Sequence, residues 1–171
     1  GLKEDFAEDA VFAAQHHDDG KSDSRFQSML GGLKSEKSLA KSEVRTRQET
    51  KIARQRSGLP QGWRHEQMSV ALVAAERAQG KLECSDLALR IIGCSHGYGR
   101  NSFAHTDRIL LPQNSQETIS DTLQDQAHEL FFTGRWEELI ERTDIEFGTY
   151  VTAYLEALER AADVQISAEG Y

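Results

Sequence analysis

Proline appears only twice in 171 residues, and so does cysteine. With so little proline, helices can run without interruption, and sequence rich in Ala, Leu, Glu and Arg favours them. Cys84 and Cys94 lie ten residues apart, far from the C-x-x-C spacing of a redox or zinc pair. They read as buried or idle thiols in a reducing compartment, with the cytoplasm as the default. Long apolar runs are absent as well: nothing approaches the roughly 18 residues of a membrane span. The opening Gly1-Leu2-Lys3-Glu4-Asp5 is acidic and lacks an apolar core, so it does not read as a signal peptide. Also missing is sustained period-two alternation bounded by turn signals, which leaves a sheet without support. No internal repeat or low-complexity tract appears. The expectation is one all-α domain, long enough to bury a real core.

The formal charge of −8 excludes a protein that coats nucleic acid by bulk attraction. The distribution of that charge is more informative. Residues 33–64 carry nine basic side chains (Lys34, Lys37, Lys41, Arg45, Arg47, Lys51, Arg54, Arg56, Arg64) against three Glu, a local +6 that leaves −14 elsewhere. Such a strip on an acidic body suits guidance of a phosphate backbone, and equally suits a solvated insertion kept soluble by its lysines.

Along the chain, helical spacing of Phe6, Ala10, Ala13 and Ala14 predicts a helix over residues 5–16. A second is expected over 18–30, ending at Gly31-Gly32. Residues 33–58 read as a long loop or a loosely held helix, and 101–114 as a loop. Further helices are expected over 63–79, from Ser85 or Asp86 to the glycine turn at 96–100, and over 116–132, 135–144 and 147–166.

The stretch that carries chemistry is Gln15-His16-His17-Asp18-Asp19-Gly20-Lys21. An adjacent His and Asp can reach one metal ion or bridge two, the imidazole as a neutral borderline ligand and the carboxylate as a charged one. Bound metal makes hydroxide available at neutral pH. Lys21, four residues after His17, would face the same way and offset charge on a phosphoryl oxygen. A lone His-Asp pair is nevertheless common by chance.

Four blocks together carry more weight. His17-Asp18-Asp19-Gly20-Lys21 followed by Arg25-Phe26-Gln27 resembles the H-D-x-G-K…FQ signature of HD nucleases in type I CRISPR systems. Gly62-Trp63-Arg64-His65-Glu66 resembles their R-H-E helix start, and Ser95-His96-Gly97-Tyr98-Gly99-Arg100 their H-H-G-x-G-R turn. Tyr154-Leu155-Glu156-Ala157-Leu158 through Arg160-Ala161-Ala162-Asp163 is similar to the helix that closes those domains. The blocks stand in family order and cover about residues 12–167.

The resemblance implies a compact HD-domain helical bundle with metal ligands at His17, Asp18, His65, His96 and Asp163. Asp18 and Lys21 would be catalytic, and Lys21, Arg64 and Arg100 would contact phosphate. One or two divalent ions (Mn, Ni, Co or Fe, or else Mg) would serve hydrolysis of single-stranded DNA. The implied partners are a helicase domain in cis or trans and the CRISPR RNA-guided surveillance complex. Two departures stand out. The family places another ligating His before the H-D pair, whereas this chain has none before His16; and Ser95 occupies the place of a paired His. His16 is not expected to substitute, because it points elsewhere on the helix. The chain is therefore expected to be a single HD nuclease domain over 1–171 that lacks its N-terminal portion, with 33–62 as a basic insertion or loop. The alternatives are a degraded HD interaction module and an HD phosphohydrolase acting on nucleotides.

Plainer readings exist for each residue. His17-Asp18 could cap a helix, His65 could be a core histidine, and His96 could answer a helix C-terminal dipole. Asp163, sharing a face with Glu156 and Glu159, could belong to a solvated stripe. Lys21 could be a surface lysine, and Arg100 could hold a carboxylate. His105 and His128 match no block and read as incidental.

Overall fold

The computed structural model describes residues 4–31, 46–97, 99, 102–112 and 119–169. Among these there are nine α-helices and no strand: α1 (Glu4–His16), α2 (Ser24–Leu30), α3 (Arg47–Ser57), α4 (His65–Ala78), α5 (Asp86–Cys94), α6 (Asp107–Leu110), α7 (Asp121–Phe131), α8 (Arg135–Phe147) and α9 (Thr149–Glu169). A single 3-10 turn, Asp19–Ser22, joins α1 to α2.

The all-α expectation holds, and several boundaries differ for local reasons. The helix expected over 18–30 is broken at Asp23, whose carboxylate accepts from the Arg25 and Phe26 backbone N–H groups and so starts α2 afresh. The second half of 33–58 is a defined helix, opened by a Thr46/Glu49 capping box and closed by Gly58; residues 33–45 lie outside the described residues. Within 101–114, the short α6 forms at Asp107–Leu110. The last two helices also meet later than expected, at Gly148, whose φ of 84° ends α8 and admits α9.

Helix α4 is the hub, packed against the 3-10 turn, α5 and α7, while α1 and α8 flank α5 and α9. Its small and branched residues Val70, Ala71, Val73 and Ala74 are fully buried and let neighbours approach closely. The larger core gathers Trp136, Val73, Leu87, Ile91, Ile92 and Leu155. Each fully buried aliphatic side chain contributes about 1.5–3 kcal/mol. Trp136 occupies the space that a side chain at Gly93 would need, and its indole N–H donates to Gly99 O at 2.7 Å. A second core under α2, α4 and α7 holds Trp63, Met68, Leu110 and Ala127.

One buried polar network fixes the last helix. Arg90, in the otherwise apolar face of α5, donates from Nε to Glu156 Oε1 (2.9 Å) and from Nη1 to Thr143 Oγ1 and Asp144 Oδ1 (both 2.8 Å). Arg90 and Glu156 are each almost fully buried, so neither tolerates loss of the other. That pairing sets the rotation of α9 and hence what it presents two turns later.

Candidate metal centre

The H-D pair sits on the bend between α1 and the 3-10 turn, and α4 holds that bend in place. Ser69, wholly buried on α4, accepts from the Gly20 N–H (2.8 Å), and its hydroxyl lies 2.7 Å from His17 O. Gly20 is required there: a Cβ would overlap the His65 carbonyl oxygen and crowd Ser69 N and Met68 Cβ. Gln27 Nε2 donates to Lys21 O (2.6 Å), and Arg25 clamps Asp23 while donating to Leu110 O (2.6 Å). Gly20, Arg25 and Gln27 thus hold the backbone of the turn.

His17, Asp18, His65, His96 and Asp163 converge from four elements. Asp18 Oδ1 lies 3.4 Å from His17 Nε2 and 3.3 Å from His65 Nε2. His65 Nε2 faces His96 Nε2 at 3.0 Å. On the other side, His17 Nε2 is 3.7 Å from Asp163 Oδ1. The His17 ring is oriented by Nδ1, which sits 2.9 Å from Ala14 O, so Nε2 is left as the lone-pair nitrogen pointing inward. His16 turns away to Asp19 (2.7 Å), in line with its expected orientation.

The donor set fits a divalent cation. Ligand atoms of Asp18, His65 and His96 all lie within 4.8 Å of one another. His17 Nε2 and Asp18 Oδ1 are buried with no hydrogen-bond partner, a costly state that an ion between them would relieve. Two Nε2 atoms 3.0 Å apart must either share a proton or offer their lone pairs to a common cation. Imidazole nitrogens with carboxylate oxygens form a set suited to transition metals.

Electrostatics shift two of these groups, Asp18 and His96, toward the forms a metal ion would need. Burial alone would raise the Asp18 carboxyl, but the His65 ring beside Oδ1, the Lys21 ammonium that donates to Oδ2 and the adjacent His17 hold it well below the usual carboxylate range. Burial, and then the His65 charge, push the His96 pKa down, favouring neutral imidazole. Burial raises Glu159 from 4.5 to about 7.

The solvated-stripe reading of the last helix does not survive. Glu156 and Glu159 are buried, at 1% and 3% exposure, and only Asp163 is half-open. Glu159 Oε1 approaches His17 Nδ1 at 3.5 Å, and both its carboxylate oxygens lack hydrogen-bond partners. The lone Arg90 within the apolar run Leu87–Cys94 was the available signal, since a buried cation demands a buried carboxylate elsewhere. Nor does the capping reading of Asp18 hold: its side chain makes no cap hydrogen bond to the turn it precedes. Glu66, also missed as a site neighbour, is fully buried with Oε2 3.5 Å from His65 Nδ1.

Of the expected phosphate contacts, Lys21 Nζ donates to Asp18 Oδ2 at 2.6 Å, and Arg64 precedes α4 with Nε 3.9 Å from Glu66 Oε1. Arg100 lies outside the described residues. Ser95 is buried beside His96 with its hydroxyl unpartnered. His105 and His128 sit apart, against Gln61 O and Asp107. Among the described residues, no helix is long and apolar enough to cross a membrane.

A family described as Cas3, HD domain, matches residues 1–168. No curated protein and no solved structure matches the chain.

Proposed function

Because the chain belongs to the Cas3 HD-domain family, a CRISPR-associated group of metal-dependent nucleases, we propose that it hydrolyses phosphodiester bonds of single-stranded DNA in type I CRISPR interference. The observation that carries this reading is Asp18 standing between His17 and His65, with His96 and Asp163 completing the two sides. Asp18, His65 and His96 would hold one divalent transition-metal ion; His17, Asp18 and Asp163 would hold a second, more weakly. When bound, such ions supply Lewis-acid activation of water and phosphate at neutral pH. Lys21, paired with Asp18, would supply positive charge next to the reacting phosphate.

The basic face of α3 favours a polymeric substrate. That helix buries none of its residues and carries Arg47, Lys51, Arg54 and Arg56. Arg54 is spent on structure, donating to Trp63 O at 3.0 Å and so tying the basic helix to the segment that leads into His65. Arg47 and Lys51 remain on the exposed surface. A strand of phosphates is attracted by such a track, whereas a mononucleotide gains nothing from it. The helicase, in cis or trans, and the RNA-guided surveillance complex are the partners this reading calls for.

The test is cleavage of circular single-stranded DNA by the purified chain in manganese, nickel, cobalt, iron or magnesium, with chelator as control. Circular substrate excludes contaminating exonucleases. Metal-dependent cutting that Asp18→Ala abolishes supports the reading. Absence of cutting in every metal sinks it and favours the degraded interaction module; turnover of mononucleotides alone favours the nucleotide phosphohydrolase.

A further inference from the structure

We infer that Arg160 is a substrate-phosphate contact, a guanidinium pre-set over the glycine turn that follows His96. The inference rests on the nuclease reading above and adds to it a residue that no sequence block singled out for a role. Arg160 lies on α9 one turn before Asp163 and next to Glu159, so it emerges at the rim of the metal centre. Its Nε donates to Ser95 O, the carbonyl just before His96, at 3.1 Å. Its terminal nitrogens pass over Gly97, where a Cβ would overlap Nη2. Gly97, at φ 76°, therefore does two things: it turns the chain after a ligand and leaves room for this guanidinium.

The donor inventory says what the group is free to do. A guanidinium has five N–H donors, and Arg160 uses one of them to fix its plane. Among the described residues its terminal nitrogens make no hydrogen bond, and no carboxylate forms an ion pair with it. The other cations near the centre differ: Lys21 is paired with Asp18, and Arg64 lies near Glu66. An exposed guanidinium whose orientation is already fixed, with both terminal nitrogens available, suits bidentate capture of a phosphate. The carboxylates of the centre, Asp18 and Asp163, explain why such a cation is needed: without it an approaching phosphodiester meets negative charge.

The competing account is that Arg160 merely caps α5 by bonding the Ser95 carbonyl. Arg160→Gln separates the two, because an amide N–H can still bond that carbonyl but carries no charge. Arg135→Gln, on α8 and paired with Glu129 and Glu138, controls for the change in net charge. Binding of a fluorescein-labelled single-stranded oligodeoxynucleotide is measured by anisotropy in chelator over a salt series. Metal content, melting temperature and cleavage are followed in parallel.

For Arg160→Gln we expect binding about tenfold weaker at low salt and a log K against log salt slope smaller by about 0.7, the loss of one phosphate contact on a single strand. Melting temperature and metal content should match the parent, Arg160→Lys should fall between, and Arg135→Gln should bind like the parent. Parental binding and slope in Arg160→Gln would overturn the inference while leaving the nuclease reading intact. A fall in melting temperature or metal content that accounts for the lost binding would also overturn it, in favour of the cap. If the parent neither binds nor cuts, the nuclease reading fails and this inference fails with it.

Discussion

The two sides of Asp18 are built differently. His65 and His96 come from the first residue of α4 and the turn after α5, two helices packed directly against each other at the hub of the fold. Their facing Nε2 atoms are already 3.0 Å apart. His17 and Asp163 come from a bend and from the solvent-facing end of α9, and their closest approach is 3.7 Å. On the first side Ser95, beside His96, is buried with its hydroxyl unpartnered; the second holds a further buried carboxyl, because Glu159 lies behind His17. Preorganisation thus follows core packing, and the looser side depends on a remote ion pair, Arg90 with Glu156, for the rotation of its helix.

The largest disturbance of this contrast should come from a residue that belongs to neither side. Gly20→Ala forces the H-D bend away from α4, because the new methyl would occupy the place of the His65 carbonyl. Overpacking of this kind costs about 1–3 kcal/mol, and both sides should lose metal together. Thermal melting and metal analysis of the purified variant check this; normal metal content would show that the bend is not held by close approach.

Single-ligand changes should separate the sides. His96→Ala should weaken metal binding by more than about 100-fold, beyond the 10–100-fold typical of outer-sphere changes, whereas Asp163→Ala should cost about tenfold. Calorimetric titration with manganese reads both values. Equal losses would mean that the sides are equivalent and that Asp18 does not divide the centre.

Ser95→His should sharpen the contrast by adding an imidazole to the tighter side. We expect about tenfold tighter metal binding, an effect in the range of ligand-sphere changes. Its absence, in a variant that melts like the parent, would show that the buried Ser95 site does not face the ion.

The smallest expected effect is on the other side and concerns pH. Glu159 is raised from 4.5 to about 7 by burial, so the folded form holds its proton more tightly than the unfolded chain. Its contribution to stability is complete below about 4.5 and is lost as pH rises through about 7. In metal-free protein, Glu159→Gln should therefore melt within a degree of the parent at pH 4.5 and a few degrees above it at pH 8. A constant difference across that range would show that Glu159 does not titrate there.

Much of the fold, and the residues that gather at the candidate site, were legible in advance, for reasons visible in particular residues. Helices announce themselves locally: Thr46 with Glu49, Ser85 before Asp86, and Gly31 after Leu30 are short-range signals that need no tertiary context. His17-Asp18, His65 and His96 could be named because their chemistry is rare and their neighbours form recognisable blocks. Asp23 was missed as a breaker because its capping role depends on the backbone conformation it adopts. The buried state of Glu156 and Glu159 was missed because charge predicts exposure unless a partner is known. That partner, Arg90, lies 66 residues from Glu156.

By itself, then, the amino-acid sequence determined the helical content, the main helix starts and stops, and the types of group available for chemistry, since each depends on residues within a turn or two. Only the tertiary structure decided that Asp18 stands between two unequal sides, that Glu159 is hidden, and that Arg160 lies over Gly97. Those facts depend on the rotation and separation of helices far apart in the chain, set by Gly20 against α4 and by Arg90 against α9.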